Sequence, residues 1–435
     1  MIQPLTVKNM QTFILVWLGQ VASLTGSGLT NFALGVWVYQ DTGSVTQFAL
    51  ISLFATIPRV IISPVAGAVV DRWQRRWVMI IADSGAGIST LLLFLLLLTN
   101  HLEIWHIYLV TITSASFSAF QWPAYNAATT LIVPKKFLSR ANGMIELGEA
   151  LPQLISPVLA GVLLINIQLQ GIILIDFISF IFSFLILINI HFPDDKRSMN
   201  KKIGNSSLFT EMIYGCKYVF KRKGLLGLLI FSAVTDLGLG VVQVLITPLV
   251  LSFASPTALG SIMSIGGIGM LLGSLLIIIH RGAKQKINSI FIFQFLGGLS
   301  ILAAGLKTSV ILSALAAFLF FFTWTIINSS TRFILQKKVS HDVQGRVFAL
   351  IGGVTGISFP IAYLVAGPLA DKIFEPLMSA NGLLAGSMGK IIGIGTGRGI
   401  GLMFILMGLI TMLITICGYY YPPLRKVEIE LPDVA

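Results

Sequence analysis

Apolar residues run through this chain in long unbroken stretches rather than in alternation. Twelve stretches, at approximately 12–39, 46–70, 77–99, 104–130, 138–165, 168–191, 224–252, 257–280, 287–306, 309–333, 346–370 and 399–421, stand out. Each reaches the ~20 residues that a helix needs to cross ~30 Å of hydrocarbon. The pattern predicts an all-α membrane protein of twelve transmembrane helices. The longest polar stretch, 192–223, separates six spans from six. The expected organisation is an N-terminal six-helix bundle (1–191), a linker (192–223) and a C-terminal six-helix bundle with a short tail (224–435). Within the linker, Leu208, Met212, Cys216 and Val219 recur at helical spacing, as do Phe209, Ile213 and Phe220, with Lys217, Lys221 and Arg222 on the other side. That predicts an amphipathic helix lying on the inner membrane surface.

Composition narrows the class. The chain has 435 residues, 55% of them hydrophobic and 11% charged, with mean hydropathy +0.90. A soluble domain carries roughly 25% charged residues. A soluble enzyme, a secreted module and a disordered chain are excluded. The net charge of +12 would suggest nucleic acid in a soluble protein, but its placement says otherwise. With the N-terminus inside, 24 of the 29 Lys and Arg residues fall in inner segments and 4 in outer loops, while Arg59 lies within a span. This bias predicts cytoplasmic termini and no nucleic-acid partner. The first apolar stretch exceeds the ~7–15 residues of a signal peptide's apolar region, and a span is expected there. Cys216 and Cys417 form no disulfide or metal-binding pattern.

The halves repeat. A shift of 202 residues aligns Trp122, Asn126, Thr129, Ile132, Lys135 and Lys136 with Trp324, Asn328, Thr331, Ile334, Lys337 and Lys338. A shift of 206 pairs Arg140 with Arg346 and Gly161 with Gly367. Spans 4 and 10, and spans 5 and 11, are therefore equivalent. Parallel duplication of six spans suits a transporter whose two bundles alternate around a central site.

Between spans 2 and 3 stands Gly67-Ala68-Val69-Val70-Asp71-Arg72-Trp73-Gln74-Arg75-Arg76. It resembles the G-x-x-x-D-[RK]-x-G-[RK]-[RK] loop motif of the major facilitator superfamily at Gly67, Asp71, Arg72, Arg75 and Arg76; Gln74 replaces the inner Gly. The resemblance implies the two-bundle fold of that superfamily and a cytoplasmic gate at these residues. There Gly67 would allow close helix approach and Asp71 would face a helix N-terminus. More narrowly, the chain resembles the macrolide-efflux and enterobactin-exporter-like branch. The residues behind this are Asp71-Arg72 with Pro58 and Pro64 upstream, Arg140-Ala141-Asn142-Gly143, Leu174 to Phe180, and Gly395 to Gly401. Superfamily antiporters carry G-x8-G-x3-G-P-x2-G-G in span 5. Gly143, Pro157 and Gly161 match, whereas Pro152, Ser156 and Ala160 replace glycines, so a pliable, close-packed helix and efflux are implied. The drug-exporter motif of span 4, centred on a buried Arg, is absent; Gln121, Trp122 and Asn126 stand in that span.

Charges inside spans are functional candidates, because each costs several kcal/mol unless paired or wetted. Arg59 lies in span 2, Glu146 and Glu149 share one face of span 5, and Asp236 lies in span 7. These four are the proton-coupling candidates, with Arg59 expected to pair with Glu146 or Glu149. Asp83 and Asp176, in spans 3 and 6, read mainly as packing residues. If spans 1, 4, 7 and 10 line the cavity, as the resemblance implies, its walls include Gln20, Asn31, Trp122, Asn126, Gln243, Trp324 and Asn328. Amides and aromatics with few fixed charges suit a bulky, mostly apolar cargo.

Gly393 to Arg398 misses G-x-G-x-x-G, and no P-loop occurs, so ATP-driven pumping is not expected. His101, His106 and Glu103 lack metal-ligand spacing. No cofactor, no metal and no clustered nucleophile and base are expected, which disfavours an intramembrane enzyme. The expected protein is a monomeric secondary exporter in a bacterial inner membrane, exchanging a small lipophilic compound for protons. A transporter of amphipathic lipid and an uptake symporter are the alternatives, with an intramembrane enzyme or a transporter-like sensor behind them.

Overall fold

The computed structural model describes residues 10–190, 216–279 and 286–430, apart from the side chains of residues 64, 68, 71, 72, 341 and 342. Twelve long helices occur among them. They are α1 (Met10–Thr42), α2 (Val45–Arg72), α3 (Arg75–Leu98), α4 (Ile104–Ile132), α5 (Leu138–Asn166), α6 (Gln168–Asn189), α7 (Lys223–Leu251), α8 (Pro256–Ile279), α9 (Lys286–Leu306), α10 (Val310–Lys338), α11 (His341–Leu369) and α12 (Arg398–Tyr420). The described residues contain no strand. Eleven of these segments are long and apolar enough to cross a membrane. The one below that hydropathy is α4, whose 29 residues include Gln121, Asn126 and an internal Pro123. Most of the linker expected as an amphipathic helix lies outside the described residues.

Two compact units form. One holds residues 1–43 and 50–203; the other holds 44–49 and 204–435. In the first, α1 packs on α5 and α6, and α3 packs on α4 and α6. In the second, the same four pairings recur six helices later: α7 with α11 and α12, and α9 with α10 and α12. The repeat seen in the sequence is thus a repeat of packing.

Small residues set the closest approaches, because they let helix backbones meet. At Gly26 of α1, an added Cβ would lie 2.2 Å from Ser179 Oγ and 2.9 Å from Asp176 Cα on α6. In the second unit, a Cβ on Gly305 of α9 would lie 2.3 Å from the carbonyl of Gly401 on α12. Around these seams lie buried clusters. Phe13, Met79, Ala124 and Ile145 form one and Leu93, Ile107 and Ile172 another in the first unit; Leu225, Ile290, Ile334 and Leu424 form one in the second.

Two sequence expectations about glycine change here. A Cβ on Gly67 or Gly143 would meet nothing within 4 Å among the described residues, so neither marks a close approach. On α5 the contact falls instead at Gly148, where a Cβ would lie 2.8 Å from Trp17 Nε1. Gly161 is buried and Pro157 half-buried.

Candidate functional site

In the first unit, α4 and α5 bring three candidate groups together. Glu149 is half-buried and Glu146 exposed, one turn apart. Glu149 is near enough to act electrostatically on both Glu146 and the Tyr125 phenol of α4. The Tyr125 hydroxyl is buried without a hydrogen-bond partner. The Trp17 indole donates to the Met144 carbonyl, fixing α1 against this part of α5. Arg59 is exposed on α2, and among the described residues no ion pair joins it to Glu146 or Glu149. The expected pair is not formed.

Gln20 also departs from expectation. It is only 5% exposed, so it lies inside the bundle instead of lining an open wall. Its amide nitrogen donates to Asp83 Oδ2 at 3.1 Å and to Ser183 Oγ at 3.0 Å. Gly19, one residue earlier, explains the burial: a Cβ there would lie 3.3 Å from Ser183 Cα, so α6 covers this face of α1. Asn31 and Trp122 are exposed, Trp122 by 41%.

Asp176 is buried on α6 and accepts a hydrogen bond from Ser27 Oγ at 3.2 Å, with the Thr30 and Thr90 hydroxyls also facing it. Its partners lie on its own unit's α1 and α3.

The second unit presents Asp236 half-buried on α7. About two turns further on, Gln243 is exposed and its Oε1 accepts from Tyr363 Oη at 3.1 Å, tying α7 to α11. A small cavity of about 20 Å³ lies beside Thr235, Gln294, Thr323 and Trp324. That is room for one water molecule. Trp324 and Asn328 are half-buried. The repeat extends to side-chain detail: Asn126 Nδ2 donates to the Trp122 carbonyl at 3.2 Å, and Asn328 Nδ2 donates to the Trp324 carbonyl at 3.1 Å. Each amide thus gives one N–H to its own helix.

Of the expected gate motif, the Asp71 and Arg72 side chains lie outside the described residues. Arg75 begins α3, and Arg76 has a clear task. Its Nε and Nη2 donate to the carbonyls of Leu187 and Ile188 at 3.1 and 2.5 Å. A cation on the last carbonyls of α6 satisfies groups that the helix leaves unpaired and opposes its dipole.

The sequence reading missed a carboxylate at the far end of α11. Asp371 sits in a π-helical turn, Ala370–Phe374. It accepts from Ser44 Oγ at 2.8 Å, from the Val45 amide at 3.0 Å and from the Thr46 amide at 2.8 Å. It therefore caps the start of α2, a segment that belongs to the second unit. Gly367, four residues earlier, makes room: its Cβ would lie 2.7 Å from Thr46 Cα. A signal was present, since Gly367-Pro368-Leu369-Ala370-Asp371-Lys372 repeats the G-x-x-x-D-[RK] spacing of residues 67–72. A similar device lies nearby, where Glu375 accepts from the Gly397 and Ile400 amides at 3.0 and 2.9 Å and caps α12.

Among the described residues no cluster of three or more His, Cys, Asp or Glu could hold a metal ion. The arrangement is one of isolated carboxylates, amides and aromatics on apolar helices. Such groups can bind a proton or orient an organic molecule.

Known proteins place the chain. Macrolide efflux protein A of Streptococcus pyogenes is 26% identical over 370 residues, spanning 83% of this chain and 90% of that protein. The enterobactin exporter EntS of Citrobacter koseri is 29% identical over 158 residues, 36% of this chain and 38% of its own. In three dimensions, a bacterial homologue of the human lysosomal transporter Spinster aligns with TM-score 0.73 and 14% identity, covering 98% of this chain and all of that one. Residues 16–363 match the Major Facilitator Superfamily, and the chain belongs to that family.

Proposed function

We propose that this membrane transporter exports a small lipophilic compound by alternating access, in exchange for protons. Its family makes it a multi-pass membrane transporter and not an enzyme. The observation that carries the direction and the cargo class is the likeness to a macrolide efflux protein along 90% of that protein's length. The accessible groups agree with a bulky, weakly charged cargo: exposed Trp122, Asn31 and Gln243, with half-buried Trp324. Asp236 and Glu149 are the proposed proton carriers, because each is a half-buried acid with no ion-pair partner among the described residues. Glu146 and Arg59, both exposed, modulate the field around them. Asp71, Arg72, Arg75 and Arg76 form the proposed gate on the cytoplasmic side, where both termini and the linker lie. The unit of transport is the monomer.

The test uses purified protein in liposomes with an imposed pH gradient. A radiolabelled macrolide, a fluorescent lipophilic cation and a catecholate siderophore are scored in parallel. Gradient-driven movement of at least one, abolished by collapsing the gradient, is expected. Movement indifferent to the gradient would reject proton exchange, and uptake with the proton flux would reject export.

A further inference from the structure

The first unit contains a carboxylate whose surroundings are built around its charge, yet among the described residues no cation is hydrogen-bonded to it. Asp83 of α3 is 8% exposed. Its Oδ2 accepts from Gln20 Nε2 at 3.1 Å and from Ser183 Oγ at 3.3 Å. Gln20 Nε2 donates its second hydrogen to Ser183 Oγ at 3.0 Å. On the other side, Gln20 Oε1 accepts from Gln121 Nε2 at 2.8 Å. Four helices thus meet in one chain of hydrogen bonds, α4 to α1 to α3 and α6, and every donor in it points toward the carboxylate. The chain ends on a loose acceptor, since Gln121 Oε1 is buried with no partner.

A buried ionised carboxylate held only by neutral donors is expensive, and proton uptake relieves the cost. A proton on Asp83 Oδ2, the oxygen that Gln20 and Ser183 hold, reverses the polarity that the network needs. The carboxyl then donates, and Gln20 can receive that hydrogen only by turning its amide over. Its nitrogen then faces Gln121, whose unpaired carbonyl is the acceptor that the turned amide requires. One proton arrives from water, two amides exchange the roles of donor and acceptor, and Ser183 Oγ gives up the hydrogen that Gln20 donated to it.

We propose that Asp83 binds a proton in the transport cycle and that Gln20 passes its protonation state to Gln121. Gln121 sits beside Trp122, so the message reaches α4 at an accessible aromatic. Among the described side chains, the other ionisable groups on the surrounding helices are Tyr39 and Asp41 on α1, Arg59 on α2, Arg75 and Arg76 on α3, His106, Tyr108 and Tyr125 on α4, and Asp176 on α6. None of them is a hydrogen-bond partner of Asp83, Gln20, Ser183 or Gln121. The proposal rests on the proton-exchange reading and adds a residue to it.

Two measurements test it. Infrared difference spectra of the reconstituted protein, taken across a pH range, follow the carbonyl stretch of a protonated carboxyl. Beside any bands from Asp236 and Glu149, a titrating component is expected in the wild type that Asp83→Asn lacks and Gln121→Leu retains. Gradient-driven transport of radiolabelled erythromycin is then compared. Asp83→Asn and Gln121→Leu are both expected to lose about tenfold of the driven rate, the scale of a coupling free energy between two sites, while keeping downhill exchange. Gln121→Leu leaves all of Asp83's own partners in place, so it stays informative if Asp83→Asn fails to fold. A driven wild type with equally driven variants, or a band unchanged in Asp83→Asn, overturns the role of Asp83 alone. A wild type indifferent to the gradient overturns proton exchange and this role with it.

Discussion

Replacing Asp371 with alanine should destabilise the protein by about 3 kcal/mol. The carboxylate accepts the amides of Val45 and Thr46, the first two of α2, and the Ser44 hydroxyl. Ser44 Oγ meanwhile accepts from the Gln47 amide at 3.2 Å, so the cap is shared between a serine and a distant acid. Hydrogen bonds to a charged group contribute roughly 1.5–3 kcal/mol each. The site is part-buried, so the lower figure applies, and two amide bonds then give about 3 kcal/mol. Asparagine keeps one acceptor and should lose about half of that. For a unit of this size, each kcal/mol moves the midpoint by about 2–4 °C, so Asp371→Ala should melt about 6–12 °C lower. The assay is thermal unfolding in detergent, followed by tryptophan fluorescence. Lys372→Ala is the control: its side chain is exposed, and no shift is expected. If Asp371→Ala melts within about 1 °C of the wild type, the capping argument is wrong.

Other substitutions probe the remaining contacts. Gly26→Leu would drive a side chain into Asp176 and Ser179, and overpacking of about 1–3 kcal/mol or more should appear as a lower melting temperature. Gly67→Ala, which meets nothing within 4 Å among the described residues, should leave that temperature unchanged. Arg76→Met removes two bonds to the last carbonyls of α6 and should cost about 1–3 kcal/mol, read from the same melts. Asp236→Asn should abolish gradient-driven transport but leave downhill exchange, measured in liposomes.

Much of the fold was legible because membrane spans announce themselves by length. The stretch expected at 168–191 is helix Gln168–Asn189, and that expected at 104–130 is Ile104–Ile132. Where helices run longer, as in Met10–Thr42 against 12–39, the added residues are mostly polar (Gln11, Gln40, Asp41 and Thr42), which apolar length does not register. The duplication was legible too, down to the paired Trp and Asn residues. Which side of a helix faces which neighbour was not. A helix that is apolar all round carries no internal sign of its buried face. Gln20 therefore looked like a wall residue, when Gly19 beside it brings α6 over it. Asp83 reads as packing from sequence, because its partners Gln20 and Ser183 stand 63 and 100 residues away. Arg59 and the glutamates of α5 were matched by charge alone, and charge does not fix position.

The short segment after α12 has a practical bearing on any engineered version of this protein. Pro422–Arg425 and Val427–Glu430 fold back on the second unit, with Leu424 and Val427 almost fully buried. Lys338 Nζ donates to the Glu428 carbonyl, and the Glu428 carboxylate accepts from the Ile287 amide at 2.8 Å, at the start of α9. Trimming this stretch, or splicing an affinity handle or fluorescent reporter into it, would take one acceptor from the Lys338 ammonium and strip a helix of its lid. Fusions belong beyond Glu430, behind a spacer; a poorly expressing fusion made closer in would say nothing about the transporter itself.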